Sequence, residues 1–219
     1  MKILLLIPAF NEEPTIAGLV RDAKNYLSDI LVVDDGSRDG TQPAAIAAGA
    51  MVRGFNQNQG KGEALKLGFE YALDHGYGYV ITMDGDGQHD PRDIANFLAI
   101  LNRYDLLLGN RMEHRSRMPL VRRIANLAAS FIVSVLSGCH IYDSQTGFRS
   151  YSADLLGHVN LSSSRYELET EVVIKAARRG LRIGHCGIKT IYADEVSRFR
   201  SVADSIRFLR VAAKSFLQR

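Results

Sequence analysis

The sequence predicts an α/β fold: a mostly parallel sheet with helices on both faces, followed by C-terminal amphipathic helices. Three observations carry this expectation. Short, continuous apolar runs (Ile3 to Ile7, Ile30 to Val33, Tyr79 to Met83) have the signature of strands buried on both faces. Segments with apolar residues at helical spacing lie between them. Three of the runs end in polar loops, Pro8 to Glu13, Asp34 to Ser37 and Asp84 to Asp90. In an open sheet of this kind such loops share one edge, outside the carboxyl ends of the strands, where ligands bind.

Taken in order, Ile3 to Ile7 is the first strand, and Pro8 is expected to stop it. A helix from Pro14 to Leu27 follows, with Ile16, Leu19, Ala23 and Leu27 on one side. Ile30 to Val33 is the second strand, Thr41 to Ala48 an Ala-rich helix, and Ala50 to Phe55 the third strand. Lys61 to Asp74 reads as a helix with Ala64, Leu67, Tyr71 and Ala72 inward. Strand Tyr79 to Met83, a helix from Pro91 to Asn102 and strand Tyr104 to Leu108 complete the alternation, with Asp90 as the N-cap before Pro91.

After Gly109 the pattern changes. Leu120 to Leu136 is helical in period, with an apolar stripe (Leu120, Ile124, Leu127, Phe131, Val135) and a polar one (Arg123, Asn126, Ser130, Ser134, Ser137). Two placements fit: a core helix, or one at a surface or membrane interface, where an apolar face flanked by Arg suits headgroups. Glu167 to Arg179 is amphipathic, with Gly180 as its C-cap and Glu167, Glu169 and Glu171 mostly on a solvated face, although Glu169 could also sit near an acceptor. Leu181 to Tyr192 reads as one or two strands broken near Gly184 and Gly187. A final helix spans Ala203 to Leu217, with Arg207, Arg210 and Lys214 on one face.

Composition narrows the class. With 219 residues, 46% of them hydrophobic, the chain can bury a substantial core, and residues 1–219 are expected to form a single domain. A net charge of +3 does not suggest a nucleic-acid binder. Cys139 and Cys186 are too few for a disulfide scaffold and fit a reducing, cytoplasmic setting, with both thiols packed in the core. The run Ile3 to Ile7 is too short for a signal peptide, and no apolar stretch reaches the roughly 18 residues of a membrane span. Gly60-Lys61-Gly62 fails the P-loop spacing, and no Gly-x-Gly-x-x-Gly follows the first strand, so a dinucleotide fold is not expected.

Asp84-Gly85-Asp86-Gly87-Gln88-His89-Asp90 organises the chemistry. On an extended backbone Asp84 and Asp86 point the same way, and the glycines let the loop bend. Two carboxylates so placed suit a hard divalent cation, because Mg²⁺ is typically held by one or two protein carboxylates plus substrate phosphates. The plain alternative is a polar strand-to-helix turn. His89 belongs either beside the acidic pair or on the surface. From Arg111 onward the chain is rich in Arg (Arg111, Arg115, Arg117, Arg122, Arg123, then Arg198, Arg200, Arg207 and Arg210). The first of these form either a solvated loop or a phosphate grip.

Pro8-Ala9-Phe10-Asn11-Glu12, Asp34-Asp35-Gly36-Ser37, Asn58-Gln59-Gly60-Lys61-Gly62 and Asp84-Gly85-Asp86-Gly87-Gln88-His89 occur in order, three of the four on strand ends. As a set they resemble the family 2 glycosyltransferases of GT-A, Rossmann-like fold. Asp143-Ser144-Gln145-Thr146-Gly147-Phe148-Arg149 is similar to the Asp-Pro-x-Ser-Gly-Phe-Arg segment of the dolichol-phosphate mannose synthase branch. The resemblance implies that Pro8, Asn11, Glu12, Asp34, Asp35, Lys61 and Asp84 bind a nucleotide-diphosphate sugar. It implies that Asp84, Asp86 and Gln88 bind Mg²⁺ or Mn²⁺, and that Arg111, Arg123, Asn126 and Ser130 hold the acceptor phosphate. Catalysis would then rest on Asp84, Asp86, Arg123 and Arg198. Residues 1–110 would form the donor half and 111–219 the acceptor half. Ser197-Arg198 is similar to the family's Ser-Lys pair, but the Arg and Gly that precede that pair are absent here. The chain has no Trp and so lacks the Gln-x-x-Arg-Trp motif of processive polysaccharide synthases.

The implied reaction is inverting transfer from a GDP-mannose or UDP-glucose type donor to a polyprenyl phosphate, at the inner face of the membrane with peripheral contact. A phosphate monoester is already anionic at neutral pH and needs no general base, and no extra carboxylate is evident near Asp143. Two alternatives stand beside it: the same donor chemistry on a glycan or small-molecule hydroxyl, and a non-catalytic nucleotide-sugar-binding protein.

Overall fold

The computed structural model describes residues 1–111, 120–189 and 191. Seven strands form one sheet: β1 Ile3–Ala9, β2 Ile30–Asp34, β3 Met51–Gly54, β4 Tyr79–Thr82, β5 Leu106–Asn110, β6 Arg149–Ser152 and β7 Ile183–Gly187, in the order β3-β2-β1-β4-β6-β5-β7. Neighbouring strands are parallel except at β6, which runs antiparallel to both β4 and β5. The helices are α1 Glu13–Ala23, α2 Thr41–Ala47, α3 Lys61–Asp74, α4 Ile94–Ile100, α5 Leu120–Ser137, α6 Ala153–His158 and α7 Glu167–Arg178, and 3₁₀ turns flank α4 on both sides.

Strand alternation sends successive side chains to opposite faces, and two cores result. Leu4, Leu6, Leu31, Val33 and Val80 pack with residues of α3, α6 and α7 and with Val133 of α5. Leu5, Ile7, Ile30, Val32 and Ile81 pack with α1, α2 and α4 on the other face.

Several boundaries differ from expectation. β1 runs through Pro8 to Ala9, in register with Asp34. The β1–β4 ladder ends at the pair Leu6–Thr82, so the amide that Pro8 lacks falls where that partner has already ended. Ala64 and Ala72 of α3 are buried as expected, together with Gly62, Leu65, Gly68 and Phe69, whereas Leu67 and Tyr71 are half-buried at the margin. α1 ends at Ala23, leaving Leu27 beyond it. β6 and α6 were not expected from the sequence. Gly180, with φ of 69°, follows α7 as expected of a C-cap.

α5 shows the largest departure from an ordinary core helix. Its apolar stripe faces out: Ile124, Leu127, Phe131 and Val135 are exposed, Phe131 to 70%. Its serines face in. Ser130 Oγ accepts from the Ser144 amide (2.9 Å), and Ser134 Oγ accepts from the Ile141 amide (2.9 Å). The surface placement is therefore the one realised. Glu169 and Glu171 correct the expectation of a solvated face, being 7% and 5% exposed. Of the cysteines, Cys186 is buried and Cys139 half-buried, and neither forms a disulfide.

Candidate active site

The loops after β1, β2 and β4 converge at the carboxyl edge of the sheet. Asn11 adopts a φ of 56°, a conformation Asn tolerates better than most residues. Its amide donates to Ser37 Oγ (2.8 Å), and its Oδ1 accepts from the Arg38 amide (2.9 Å). The Glu12 amide donates to Thr41 Oγ1 (2.8 Å). Pro8 is buried in β1 beneath these residues. The Asp34 carboxylate accepts from both the amide and the hydroxyl of Ser37. Asp35, 4% exposed, accepts from the amides of Gln59 (2.7 Å) and Gly60 (2.9 Å). Burial pushes its pKa above the ordinary carboxylate value, against the pull of those two amides. Asp34 thus ties down its own loop through Ser37, and Asp35 holds the loop that leads into α3.

The acidic loop is fastened at several points. Thr15 Oγ1 donates to the Gly85 carbonyl (2.6 Å), the Gln88 amide to Asp86 Oδ1 (3.0 Å), and the Ile191 amide to the Gln88 carbonyl (2.9 Å). Asp90 caps the following 3₁₀ turn through the Arg92 amide (3.0 Å), as the sequence suggested. His89 is buried against Phe148, with Nε2 3.4 Å from Asp84 Oδ2. It therefore lies beside the acidic pair and not on the surface.

Lys61, the first residue of α3, reaches across this loop. Its Nζ lies 2.6 Å from Asp84 Oδ1 and 3.2 Å from each carboxylate oxygen of Glu169 on α7. Burial alone would lower the Lys61 pKa, but Asp84 and Glu169 raise it well above the ordinary lysine value. Asp84 is likewise held far below the usual carboxylate range, its desolvation outweighed by Lys61 and His89. Asp86 moves the other way, raised first by burial and then by the adjacent charge of Asp84.

The segment 143–149 closes the far side. Gly147 is packed so tightly that a Cβ there would collide with the Asp84 carboxylate, and its carbonyl accepts from Thr82 Oγ1 (2.8 Å). Arg111 grips the fully buried Asp143 bidentately (Nε–Oδ2 2.7 Å, Nη2–Oδ1 3.0 Å). Burial would raise the Asp143 pKa, but Arg111 holds it below the ordinary range. Arg149 is fully buried and donates to the carbonyls of Thr146, Glu169 and Ser144. Ser130 contacts Ser144, while Arg123 and Asn126 lie half-buried on the same helix.

The structure therefore brings together Asn11, Glu12, Asp34, Asp35, Lys61, Asp84, Asp86 and Gln88. Arg111 and Ser130 meet the 143–149 segment. Arg198, assigned to catalysis from the sequence, lies outside the described residues, as do Arg115, Arg117 and the final helix. Sequence reasoning gave Arg149 and Gly147 no individual role, although both lie in the Thr-Gly-Phe-Arg motif that it singled out. It also missed the approach of Glu169 to Lys61, across 108 positions of sequence.

The donor set suits a divalent ion. Asp84 and Asp86 are hard oxygen ligands, and the pKa of Asp86 is raised first by burial and then by the charge of Asp84, both of which a bound cation would offset. Among the described residues no group of three or more His, Cys, Asp or Glu side chains is arranged to hold a metal. Two carboxylates completed by substrate phosphates match the manner in which Mg²⁺ is usually held.

Comparison with known proteins agrees with this geometry. The model of glycosyl transferase family 2 matches residues 5–158. A UDP-N-acetylglucosamine–dolichyl-phosphate N-acetylglucosaminyltransferase from Methanococcus voltae is 34% identical over 88% of this chain and 86% of its own. An undecaprenyl-phosphate mannosyltransferase from Micrococcus luteus is 33% identical over 84% and 81%. Glucosyl-3-phosphoglycerate synthase from Mycobacterium tuberculosis, solved with Mn²⁺, UDP and phosphoglyceric acid, shares the fold at a TM-score of 0.74 and 22% identity, covering 99% of this chain and 78% of that one. With a family match over most of its length and the acidic loop of that match at the carboxyl edge of the sheet, the chain belongs to glycosyl transferase family 2.

Proposed function

We propose that this glycosyltransferase moves a sugar, with inversion, from a nucleotide-diphosphate sugar to a polyprenyl phosphate, using Mg²⁺ or Mn²⁺ at Asp84 and Asp86. The observation that carries the lipid acceptor is the orientation of α5. Its serines bind the 141–144 segment while Ile124, Leu127, Phe131 and Val135 face outward. Such a face suits a bilayer surface. No helix among the described residues is long and apolar enough to cross a membrane; the proposed contact is made by the exposed face of α5, at the cytoplasmic side. The names of the Methanococcus and Micrococcus relatives support the same acceptor class.

In this scheme residues 1–110 bind the donor and 111–219 the acceptor. Asn11, Glu12, Asp34 and Asp35 shape the nucleotide pocket, and Lys61 meets the diphosphate. A divalent ion bound at Asp84 and Asp86 supplies charge stabilisation to the leaving diphosphate. Arg123, with Asn126 and Ser130 on its stripe, positions the acceptor phosphate, and Arg111 orders the adjoining segment through Asp143. An acceptor phosphate oxygen bonds to the anomeric carbon as the bond to the donor β-phosphate oxygen breaks, and the nucleoside diphosphate departs. No proton needs to be removed from the nucleophile.

Glu169 favours a second reading. A buried carboxylate close to Lys61 and Asp84 could serve as base for a hydroxyl acceptor. Its ion pair with Lys61 weakens it in that role. An assay across UDP- and GDP-sugars with Mn²⁺ or Mg²⁺, with and without a short polyprenyl phosphate, separates the two. Lipid-dependent transfer from one donor is expected. Transfer to a glycan hydroxyl alone would establish the second reading. Nucleotide binding with no turnover would indicate a binding protein.

A further inference from the structure

The Lys61 ammonium bridges two carboxylates from different elements, Asp84 of the acidic loop and Glu169 of α7. Its side chain is 14% exposed and that of Glu169 is 9%, so these charges are largely out of water and depend on each other. The contact with Asp84 is one short bond, whereas that with Glu169 is shared between two oxygens at 3.2 Å. Arg149 Nε approaches Glu169 Oε1 at 4.0 Å, and His89 approaches Asp84 on the side away from Lys61. The Asp84 carboxylate is thus already paired with a cation of the chain itself, through Oδ1. Asp86 lies outside this bridge, with the Gln88 amide on its carboxylate.

We infer that Lys61 is a resident counter-cation that keeps a divalent ion from loading at Asp84 until a nucleoside diphosphate draws the ammonium off Asp84. A divalent ion on Asp84 and an ammonium on the same carboxylate would be like charges a few ångströms apart, and their repulsion opposes occupancy. A diphosphate brings its own negative oxygens. Lys61 then exchanges its bond to Asp84 for one to phosphate, while Glu169 retains it at the site. The ion and the nucleotide therefore load together, and the free enzyme has low affinity for the ion alone. This rests on the metal role proposed for Asp84 and Asp86.

The test is Mn²⁺ titration of the full chain without nucleotide, following the signal of free Mn²⁺ by electron paramagnetic resonance, then repeated with UDP and GDP. Removing the competing charge in Lys61→Met should tighten Mn²⁺ binding by about tenfold or more without nucleotide. Binding by the wild type should tighten sharply with the cognate nucleoside diphosphate, and binding by Lys61→Met much less. Glu169→Gln leaves Lys61 to Asp84 alone and should weaken nucleotide-free Mn²⁺ binding severalfold. It provides the test if Lys61→Met does not fold. Nucleotide-free binding that is unchanged or weaker in Lys61→Met, or unchanged or tighter in Glu169→Gln, overturns the inference and leaves the metal site standing. Absence of Mn²⁺ binding in every protein, with or without nucleotide, overturns the metal site itself and the inference with it.

Discussion

Asp86 is the residue at which folding and function pull apart. Its pKa is raised in the fold by burial and by Asp84, so the folded chain holds that proton more tightly than the unfolded chain does. Stability falls as pH rises from the ordinary carboxylate value through the raised one, and the cost persists at neutral pH. Asp86→Asn should therefore melt at or above the wild-type temperature at pH 7 in the presence of a chelator, while losing about 10²-fold or more in transfer rate. A lower melting temperature would contradict the charge assignment, and unchanged transfer would remove the metal role. Gly147 offers a steric counterpart. A methyl group there must displace the Asp84 carboxylate from its place between Lys61 and His89. Gly147→Ala should lower transfer by about 10- to 100-fold with little change in far-UV circular dichroism, since small misplacements of reacting groups cost that much. The Asp-x-Asp spacing was legible in the sequence because both carboxylates lie in one short loop. Lys61 and Glu169 were not legible as a pair, because nothing local records that α3 and α7 meet.

At the scale of elements, α5 shows what periodicity can and cannot decide. The spacing placed the helix over Leu120 to Leu136, and it spans Leu120–Ser137. Two regular stripes left the inward face open. The amides of Ile141 and Ser144 decide it, since they need acceptors and Ser134 and Ser130 supply them. Polar residues therefore turn inward and the apolar stripe outward. Replacing Leu127 and Phe131 together by Ser should leave stability within about 0.5 kcal/mol while abolishing sedimentation with anionic vesicles that contain polyprenyl phosphate. A loss of stability comparable to the cost of Val133→Ala, about 1–3 kcal/mol, would show that the stripe is covered by protein. α7 carries a second element-scale prediction. Glu171 accepts from the amides of Ser162 and Ser163 and pairs with Lys175. Burial would raise its pKa, yet these partners lower it to about 2. Its contribution is present above the unfolded carboxylate value and disappears as pH falls through about 2. Glu171→Gln should cost about 1–3 kcal/mol at pH 7, and the difference in denaturant midpoint should shrink steadily below about pH 5.

Across the whole molecule, the sheet interlocks the two halves of the chain, residues 1–110 and 111–219. β6 comes from the second half, yet it lies between β4 and β5 of the first. The alternation of apolar runs and helical segments made the parallel strands of the first half legible. β6 escaped notice because Arg149-Ser150-Tyr151-Ser152 lacks an apolar run, although all four residues are buried. Its polarity is met by structure remote in sequence, above all through Arg149, which binds three carbonyls and faces Glu169. A sheet assembled in this way cannot release one half without breaking both ladders of β6. Thermal unfolding of the full chain should be a single transition, with calorimetric and van't Hoff enthalpies in agreement. Arg149→Met should lower the stability by about 3–5 kcal/mol, because it leaves buried carbonyls unpaired and removes a positive charge near Glu169. It should do so without splitting the transition, since the variant weakens the joint that both halves share. Two resolved transitions in the wild type would show instead that the halves fold independently and that β6 is only loosely held between them.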